Sequence, residues 1–364
     1  MTYTFLSKSY QASDFKIQFH LSNRKYWNSV MDWEAFKQLD GMGLGSDAES
    51  PIKGEIHIKD IVNLPREIYE KMDRTVPGSY QYGVDGNQEY FYDIRLKSLL
   101  IIEENRLELF CDAQLFYSIP YLLNFAMKDQ PRCFVHSAAF NLNGQGSLLC
   151  AFGGVGKTAI LSNVHHMLGA KILGDDLNIV HASGTVTAYP RPFCIYPYHQ
   201  PLFEKYFSEH QLSTVEYTLI NKVIRKVKRE CLKVVDRRHF EYETISPLKL
   251  IGESAIEKET IPLNHVFALK RNLLSEKIEI KPYEVEICTD FCLSILQTEW
   301  HSTYRHFLSY FALSGNSFEK FIHSMNERLM GAFAASTCHE ISIPVSLDIK
   351  EIPKQVIPML KDFH

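Results

Sequence analysis

Residues 145–168 read QGSLLCAFGGVGKTAILSNVHHML, an apolar run followed by a glycine-rich turn and then by apolar residues at helical spacing. Positions 151–158, AFGGVGKT, match the pattern G-x-x-x-x-G-K-[ST] except at the first position, which is Ala151. When a strand is followed by such a turn and then by a helix, the backbone N–H groups of the turn and of the helix start point toward a phosphate. The stretch therefore predicts an α/β fold built around a phosphate-binding loop.

The residue types in this loop suit a nucleotide. The predicted nucleotide-binding set is the loop itself: Gly153, Gly154, Val155, Gly156, Lys157 and Thr158. The glycines let the backbone turn back on itself, and Lys157 is placed to neutralise the phosphates. The hydroxyl of Thr158 is a candidate ligand for magnesium. The alternative is a chance glycine-rich turn, which the flanking strand and helix disfavour.

Two adjacent aspartates follow the loop helix at short range. Asp175 and Asp176 come 18 and 19 positions after Lys157, in the run AKILGDDLNIV, which is predicted as one strand carrying both aspartates at its exit. Adjacent side chains at a strand end point in different directions, so one carboxylate can bind a metal while the other faces an acceptor hydroxyl. A solvated Asp-Asp turn is the alternative.

The run at 135–180 resembles the HPr kinase/phosphorylase family and the wider set of HPr-kinase-like enzymes. It is also similar, more remotely, to the nucleotide core of PEP carboxykinases. The resemblance rests on a histidine-bearing strand, a hairpin, the phosphate loop with its helix, and Gly-Asp-Asp. It covers residues 132–192 and is loose beyond them. It implies a P-loop kinase core, a mixed sheet flanked by helices, that uses ATP and Mg²⁺.

The resemblance also implies roles for single residues. Asp175 would be the general base, Asp176 a metal-linked acid, and Lys157 the catalytic cation at the phosphates. His136 matches a histidine that orients or polarises the aspartate, and the alternative is a structural strand histidine. The implied acceptor is a serine of a peptide or protein. HPr-kinase relatives often assemble, so a homo-oligomer is a further expectation.

Residues beyond this core carry weaker signals. Arg191 stands between Pro190 and Pro192, which restrict the backbone on both sides, so it is a candidate clamp for phosphate or substrate. An ordinary surface-loop arginine is the alternative. The stretch 222–238 holds eight Lys or Arg against two acids, a local charge of +6. It would suit an acidic peptide or a phosphorylated small molecule, with RNA the least favoured partner and a solvated helix the alternative.

The whole chain sets broader bounds. It has 364 residues, 45% hydrophobic and 23% charged, with a formal net charge of −4, which excludes a disordered chain and gives no reason to expect nucleic acid or an anionic membrane as partner. Its eight cysteines form no C-x-x-C pair, which disfavours zinc. No signal peptide and no long apolar run are readable, so a cytoplasmic location with reduced thiols is expected.

The periodicity divides the chain at about residue 120. Residues 1–120 are predicted as a β-rich N-terminal domain that guides substrate, with a helix at 29–39 and a strand meander at 89–110. Residues 121–364 are predicted as the catalytic domain. The first part of this domain is predicted to contain a helix at its entry, at 115–127, one strand CFVHSAAFNL, and a hairpin at Asn143 and Gly144. The last part is predicted to contain two aromatic-rich helical segments between 290 and 330, an alternating strand EISIPVSLDI and a final helix EIPKQVIPML.

These features favour an ATP- and Mg²⁺-dependent kinase acting on a serine or another hydroxyl of a peptide or protein. One alternative keeps the fold and changes the acceptor to a small molecule such as an alcohol, a sugar or an amino acid. The other alternative is a non-catalytic nucleotide-binding regulator. Ala151 slightly favours the regulator, whereas Lys157, Thr158 and the aspartate pair favour a transferase.

Overall fold

The computed structural model describes residues 6–12, 15–21, 54–60, 66–104, 106–111, 125–189, 193–195, 243–245 and 251–364. The helix predicted at 29–39, Arg191 and the basic stretch 222–238 lie outside these residues, as does most of the helix predicted at 115–127. The proposed boundary at residue 120 also lies outside them and stays a prediction.

A first sheet is built by the N-terminal part of the chain. Its strands are β1 (Leu6–Ala12), β2 (Phe15–Leu21), β3 (Gly54–Asp60), β4 (Arg74–Val76), β5 (Tyr80–Asp85), β6 (Gln88–Asp93), β7 (Ser98–Glu103) and β8 (Arg106–Cys111). Their order is β1-β2-β3-β8-β7-β6-β5-β4, parallel at β2-β3-β8 and antiparallel elsewhere. A short helix, α1 (Arg66–Glu70), precedes β4. The predicted meander is confirmed as β6 to β8.

A second sheet holds the predicted loop. Its strands are β9 (Arg132–Val135), β10 (Ser137–Leu142), β11 (Gln145–Cys150), β12 (Lys171–Gly174), β13 (Asn178–His181), β14 (Thr185–Thr187), β17 (Thr260–Asn272), β18 (Glu279–Pro282) and β19 (Thr337–Pro344). The order is β12-β10-β11-β17-β14-β13-β9, and β19 adds to β17 and β18 to β19. The pairs β11-β17 and β17-β19 are parallel and the others antiparallel, so the sheet is mixed. The strands β15 (Phe193–Ile195) and β16 (Glu243–Ile245) form a separate pair.

Helices pack on both faces of the second sheet. They are α2 (Lys157–Leu168), α3 (Val285–Glu299), α4 (His301–Ser314), α5 (Phe318–Ala334) and α6 (Glu351–Lys361). Along β11, Leu148 and Cys150 pack into the core beneath α3, α4 and α5, while Leu149 packs into the core beneath α2 and α6. This alternation follows from the two-residue period of a strand. The protein is therefore a mixed α/β structure with helices on both sides of the loop-bearing sheet.

The structure corrects several predicted elements. The strand predicted at CFVHSAAFNL is divided at His136 into β9 and β10, which pair with different neighbours. The strand predicted at AKILGDDLNIV is also two strands, β12 and β13, with the aspartates in the turn between them. Three helices, not two segments, occupy 285–334. The hairpin at Asn143 and Gly144 and the helix α6 are confirmed.

The closing strand differs from its predicted pattern in a way that has a structural cause. The alternating run EISIPVSLDI predicted one buried face, but β19 ends at Pro344 and its residues from Glu340 to Pro344 are all buried. It lies between β17 and β18 and is covered from both sides, since Cys338 belongs to the core beneath α3, α4 and α5, and Ile341 and Ile343 belong to the core beneath α2 and α6. An internal strand of a two-sided layer need not alternate.

The first sheet packs against α4. Tyr80, Tyr82 and Phe91 share one hydrophobic core with Phe307 and Tyr310 of that helix. Four aromatic residues of this helix, Tyr304, Phe307, Tyr310 and Phe311, are all buried. Within the part of the chain that the structure describes, no helix is long and apolar enough to cross a membrane.

Candidate functional site

The glycine-rich loop joins β11 to α2 at the end of a buried parallel strand. Gly154 and Gly156 have φ angles of +82° and +128°. Residues other than glycine rarely adopt such positive φ angles. A Cβ on Gly156 would also lie 3.2 Å from Cδ1 of Ile352 on α6. Within the described residues, no side chain caps the start of α2. The N–H groups of its first turn are therefore available to an anion.

Lys157 is folded back over the loop. It is 7% exposed, and its Nζ donates hydrogen bonds to the carbonyl oxygens of Ala151 and of Phe152, the latter at 3.3 Å. Burial lowers the pKa of Lys157, and the negative charges of Asp175, Asp176 and Glu299 oppose that shift. The ammonium group is thus held over the loop, where it can meet a phosphate.

His136 connects the lysine to one of the aspartates. Its Nε2 lies 3.0 Å from Nζ of Lys157, and its Nδ1 lies 3.4 Å from Oδ1 of Asp176. An ammonium group can only donate, so Nε2 is the acceptor and the ring proton is on Nδ1, facing the carboxylate. The break between β9 and β10 places His136 between the lysine and the aspartate, and its role in orienting or polarising an aspartate stays a prediction.

Asp175 is paired with the loop hydroxyl. Oγ1 of Thr158 donates to Oδ2 of Asp175 at 2.9 Å, and the aspartate is 4% exposed. Burial, with the charge of Asp176, raises the pKa of Asp175 to about 6, while the Thr158 hydrogen bond and Lys157 act in the opposite direction. A carboxylate with a pKa near 6 can exchange a proton close to neutral pH.

Asp176 occupies a left-handed backbone conformation. Its φ is +72°, and the N–H of Leu177 donates to the carbonyl oxygen of Asp175 at 2.9 Å, which closes a tight turn. Aspartate tolerates this conformation better than most residues because its short side chain bonds locally. The carboxylate is 35% exposed, so Asp176 faces more solvent than its neighbour.

Gly174 sets the position of the aspartate turn. A Cβ at Gly174 would lie 2.6 Å from Oδ1 of Asn178 and 2.6 Å from the carbonyl oxygen of Tyr189. No side chain fits between these groups. Asn178 in turn donates from Nδ2 to the carbonyl oxygen of Ser137 at 2.8 Å, which ties the turn to the first residue of β10. Packing therefore requires the glycine that precedes the two aspartates.

The predicted site residues thus come together as two pairs. Thr158 is hydrogen-bonded to Asp175, and His136 lies against Asp176. The resemblance implies Asp175 as the base and Asp176 as the metal-linked acid, and these roles stay predictions. The structure adds that Thr158, the other predicted metal ligand, contacts Asp175.

The donor atoms suit magnesium held jointly with a nucleotide. Thr158 supplies a hydroxyl and the aspartates supply carboxylates, all hard oxygen donors. No group of three or more His, Cys, Asp or Glu among the described residues is arranged to hold a metal ion. Magnesium usually takes one or two carboxylates and completes its shell with phosphate oxygens and waters. The residues present fit that mode of binding.

Glu299 is a site residue that the sequence did not indicate. It is the last residue of α3, and its Oε1 accepts a hydrogen bond at 3.1 Å from the backbone N–H of Gly153. The two residues are 146 positions apart, so no local motif could have revealed the contact. Nearby, the rings of Phe152 and Phe291 meet edge to face, with centroids 6.3 Å apart. The α3 side of the loop is therefore acidic and aromatic.

Comparison with models of known protein families finds no match, and no curated protein shows significant similarity to the chain. What the chain does must therefore be inferred from its own residues. These are the loop, Lys157, the aspartate turn and His136.

Proposed function

We propose that this protein is an ATP- and Mg²⁺-dependent phosphotransferase that transfers the γ-phosphoryl group to a hydroxyl, in the leading case a serine of a peptide or protein. The main support is the convergence of Lys157, Thr158, the two aspartates and His136 at the end of a buried strand. Phosphoryl transfer requires charge neutralisation, positioning and modest base assistance, and this set contains a group for each.

The loop and α2 would bind the phosphates. The N–H groups of the loop and the positive end of the α2 dipole favour a polyphosphate, and Lys157 adds a full positive charge. Its buried position strengthens its attraction for phosphate, because the local dielectric constant is below that of water. Magnesium, when bound by Thr158 and a neighbouring carboxylate, would neutralise further phosphate charge.

Two assignments of the aspartates are compatible with the geometry. In the first, Asp175 accepts the proton of the acceptor hydroxyl, which its pKa of about 6 supports. In the second, Asp175 joins Thr158 at the metal, which their 2.9 Å hydrogen bond supports, and Asp176 is the base, oriented by His136. We keep the first as the working assignment, with Asp176 linked to the metal.

The decisive experiment incubates the pure protein with γ-labelled ATP and magnesium, with and without a lysate of the native organism. We expect a labelled peptide or protein that is absent with Lys157→Ala, because that variant lacks the phosphate-binding charge. Label found only in a small molecule would select the small-molecule kinase. Tight nucleotide binding without any transfer would select the regulator.

A pair of variants separates the two aspartate assignments. With Asp175→Asn we expect nucleotide binding to persist and transfer to fall about 10²- to 10⁴-fold, the usual contribution of a general base. Asp176→Asn should mainly raise the magnesium concentration needed for half-maximal activity. The reverse pattern, with the magnesium requirement shifted by Asp175→Asn, would establish the second assignment.

A further inference from the structure

A carboxylate lies at the mouth of the phosphate loop. Oε1 of Glu299 accepts the N–H of Gly153 at 3.1 Å, and a Cβ on Gly153 would lie 3.6 Å from the same oxygen. Glu299 also acts electrostatically on Lys157, where its charge opposes the lowering of the lysine pKa. The Glu299 side chain thus interacts both with the backbone of the loop, at Gly153, and with the positive charge of Lys157.

Helix stability does not account for this position. Glu299 is the last residue of α3, where the negative end of the helix dipole disfavours a carboxylate. The end of the helix is instead closed by the N–H of Trp300, which donates to the carbonyl oxygen of Leu296 at 3.0 Å. The Glu299 carboxylate is nevertheless held against the loop by the Gly153 N–H.

A carboxylate and a nucleotide phosphate would compete for the same groups. The Gly153 N–H has one proton, and its hydrogen bond to Glu299 leaves no second donor for a phosphate oxygen. A phosphate that approached with Glu299 in place would also face a like charge, which is costly where water is partly excluded. The carboxylate must move before the outer phosphates can occupy the loop.

We propose that Glu299 is an internal competitor of nucleotide phosphates and sets the affinity of the loop for them. The proposal rests on the proposed function, since it assumes that the loop binds a nucleotide. The proposal also gives Glu299 a role in specificity, because Glu299 competes with the phosphates beyond the first one of the nucleotide. A nucleotide with one phosphate should be affected less than one with three.

The test compares Glu299→Gln with the parent protein by calorimetric titration with Mg·ATP and, separately, with AMP. Glutamine keeps the length of the side chain and removes the charge. We expect Mg·ATP to bind about tenfold more tightly to Glu299→Gln, equivalent to about 1.4 kcal/mol, with the affinity for AMP little changed. Glu286→Gln, an exposed position on the first turn of α3, is the matched control and should behave as the parent.

The outcomes separate the two proposals. If the parent binds Mg·ATP and Glu299→Gln binds it equally or more weakly, or if Glu286→Gln gives the same gain, the competition is overturned and the proposed function stands. If neither the parent nor Glu299→Gln binds Mg·ATP, both are overturned. Should Glu299→Gln fail to fold, Glu299→Asp, which is too short by one methylene to keep the Gly153 contact unaltered, serves instead and should also bind Mg·ATP more tightly.

Discussion

Two neighbouring aspartates of the same turn differ because their surroundings differ. Asp175 is buried and bonded to Thr158, whereas Asp176 is 35% exposed and lies against His136. Burial penalises the charged form of Asp175, so its pKa is raised to about 6, while a carboxylate in water titrates near 3.8. A carboxylate whose pKa is raised toward neutrality by its surroundings is typical of a group that exchanges protons with a substrate.

The raised pKa of Asp175 predicts a pH dependence of stability. A group whose pKa is higher in the folded state contributes stability that is fully present below about pH 3.8 and is lost as the pH rises through about 6. For this shift the contribution is about 3 kcal/mol. Asp175→Asn does not titrate, so we expect its free energy of unfolding, relative to the parent, to be higher at pH 7.5 than at pH 4.5.

Urea unfolding of both proteins at the two pH values, without magnesium, measures this difference. Titrating groups that do not interact with Asp175 are common to both proteins and cancel in the comparison. An equal difference in the free energy of unfolding at both pH values would contradict the raised pKa.

At the scale of elements, the loop depends on a helix that is distant in sequence. Helix α6 packs on α2, and Ile352 at its start contacts the position of Gly156. Four apolar residues of α6 are fully buried: Ile352, Val356, Ile357 and Leu360. The final helix therefore stabilises the loop helix as well as the core.

Truncation of Ile352 tests this dependence. Ile352→Ala removes methyl groups from a fully buried site next to the loop, so we expect the free energy of unfolding to fall by about 2–5 kcal/mol. Chemical denaturation measures the loss. Lys354→Ala, on the exposed side of the same helix, should change the free energy by less than about 1 kcal/mol. Equal effects of the two substitutions would show that α6 does not pack on the loop helix.

At the scale of the whole molecule, the first sheet and α4 share a core and a set of partly buried polar contacts. Tyr82 and Tyr310 both donate to Oε2 of Glu89, at 2.8 and 2.7 Å. Arg74 donates to the carbonyl oxygen of Leu313 at 2.6 Å. The contacts made by Tyr310 and by Arg74 join residues more than 200 positions apart, so we expect the two parts to unfold in one cooperative transition.

Glu89→Gln tests whether these contacts stabilise the packing of the first sheet against α4. The substitution replaces two hydrogen bonds to a charged acceptor with weaker ones to a neutral amide, so the free energy of unfolding should fall by about 1–3 kcal/mol. The transition should remain single by both circular dichroism and tryptophan fluorescence. Glu104→Gln, an exposed change in the β7–β8 turn, is the control. Two separate transitions in the parent protein would contradict a shared core.

Local sequence determined the features that depend on backbone conformation and short spacing. Gly154 and Gly156 in the loop, the hairpin at Asn143 and Gly144 and the helix α6 were all readable from the chain. Positive φ angles and helical periodicity are properties of a few neighbouring residues, so a pattern can predict them. The predictions for Arg191 and for the acceptor concern residues or molecules outside the described structure and stay predictions.

Only the tertiary structure decided which distant groups meet at the loop. The placement of His136 between Lys157 and Asp176 required a break between two strands with different partners. The contact of Glu299 with Gly153 required α3 to end beside a loop 146 positions earlier. The burial of β19 on both faces required layers on either side of it. Such contacts arise from packing between layers, which brings together residues that share no local pattern. The spacing of residues along the chain therefore does not reveal them.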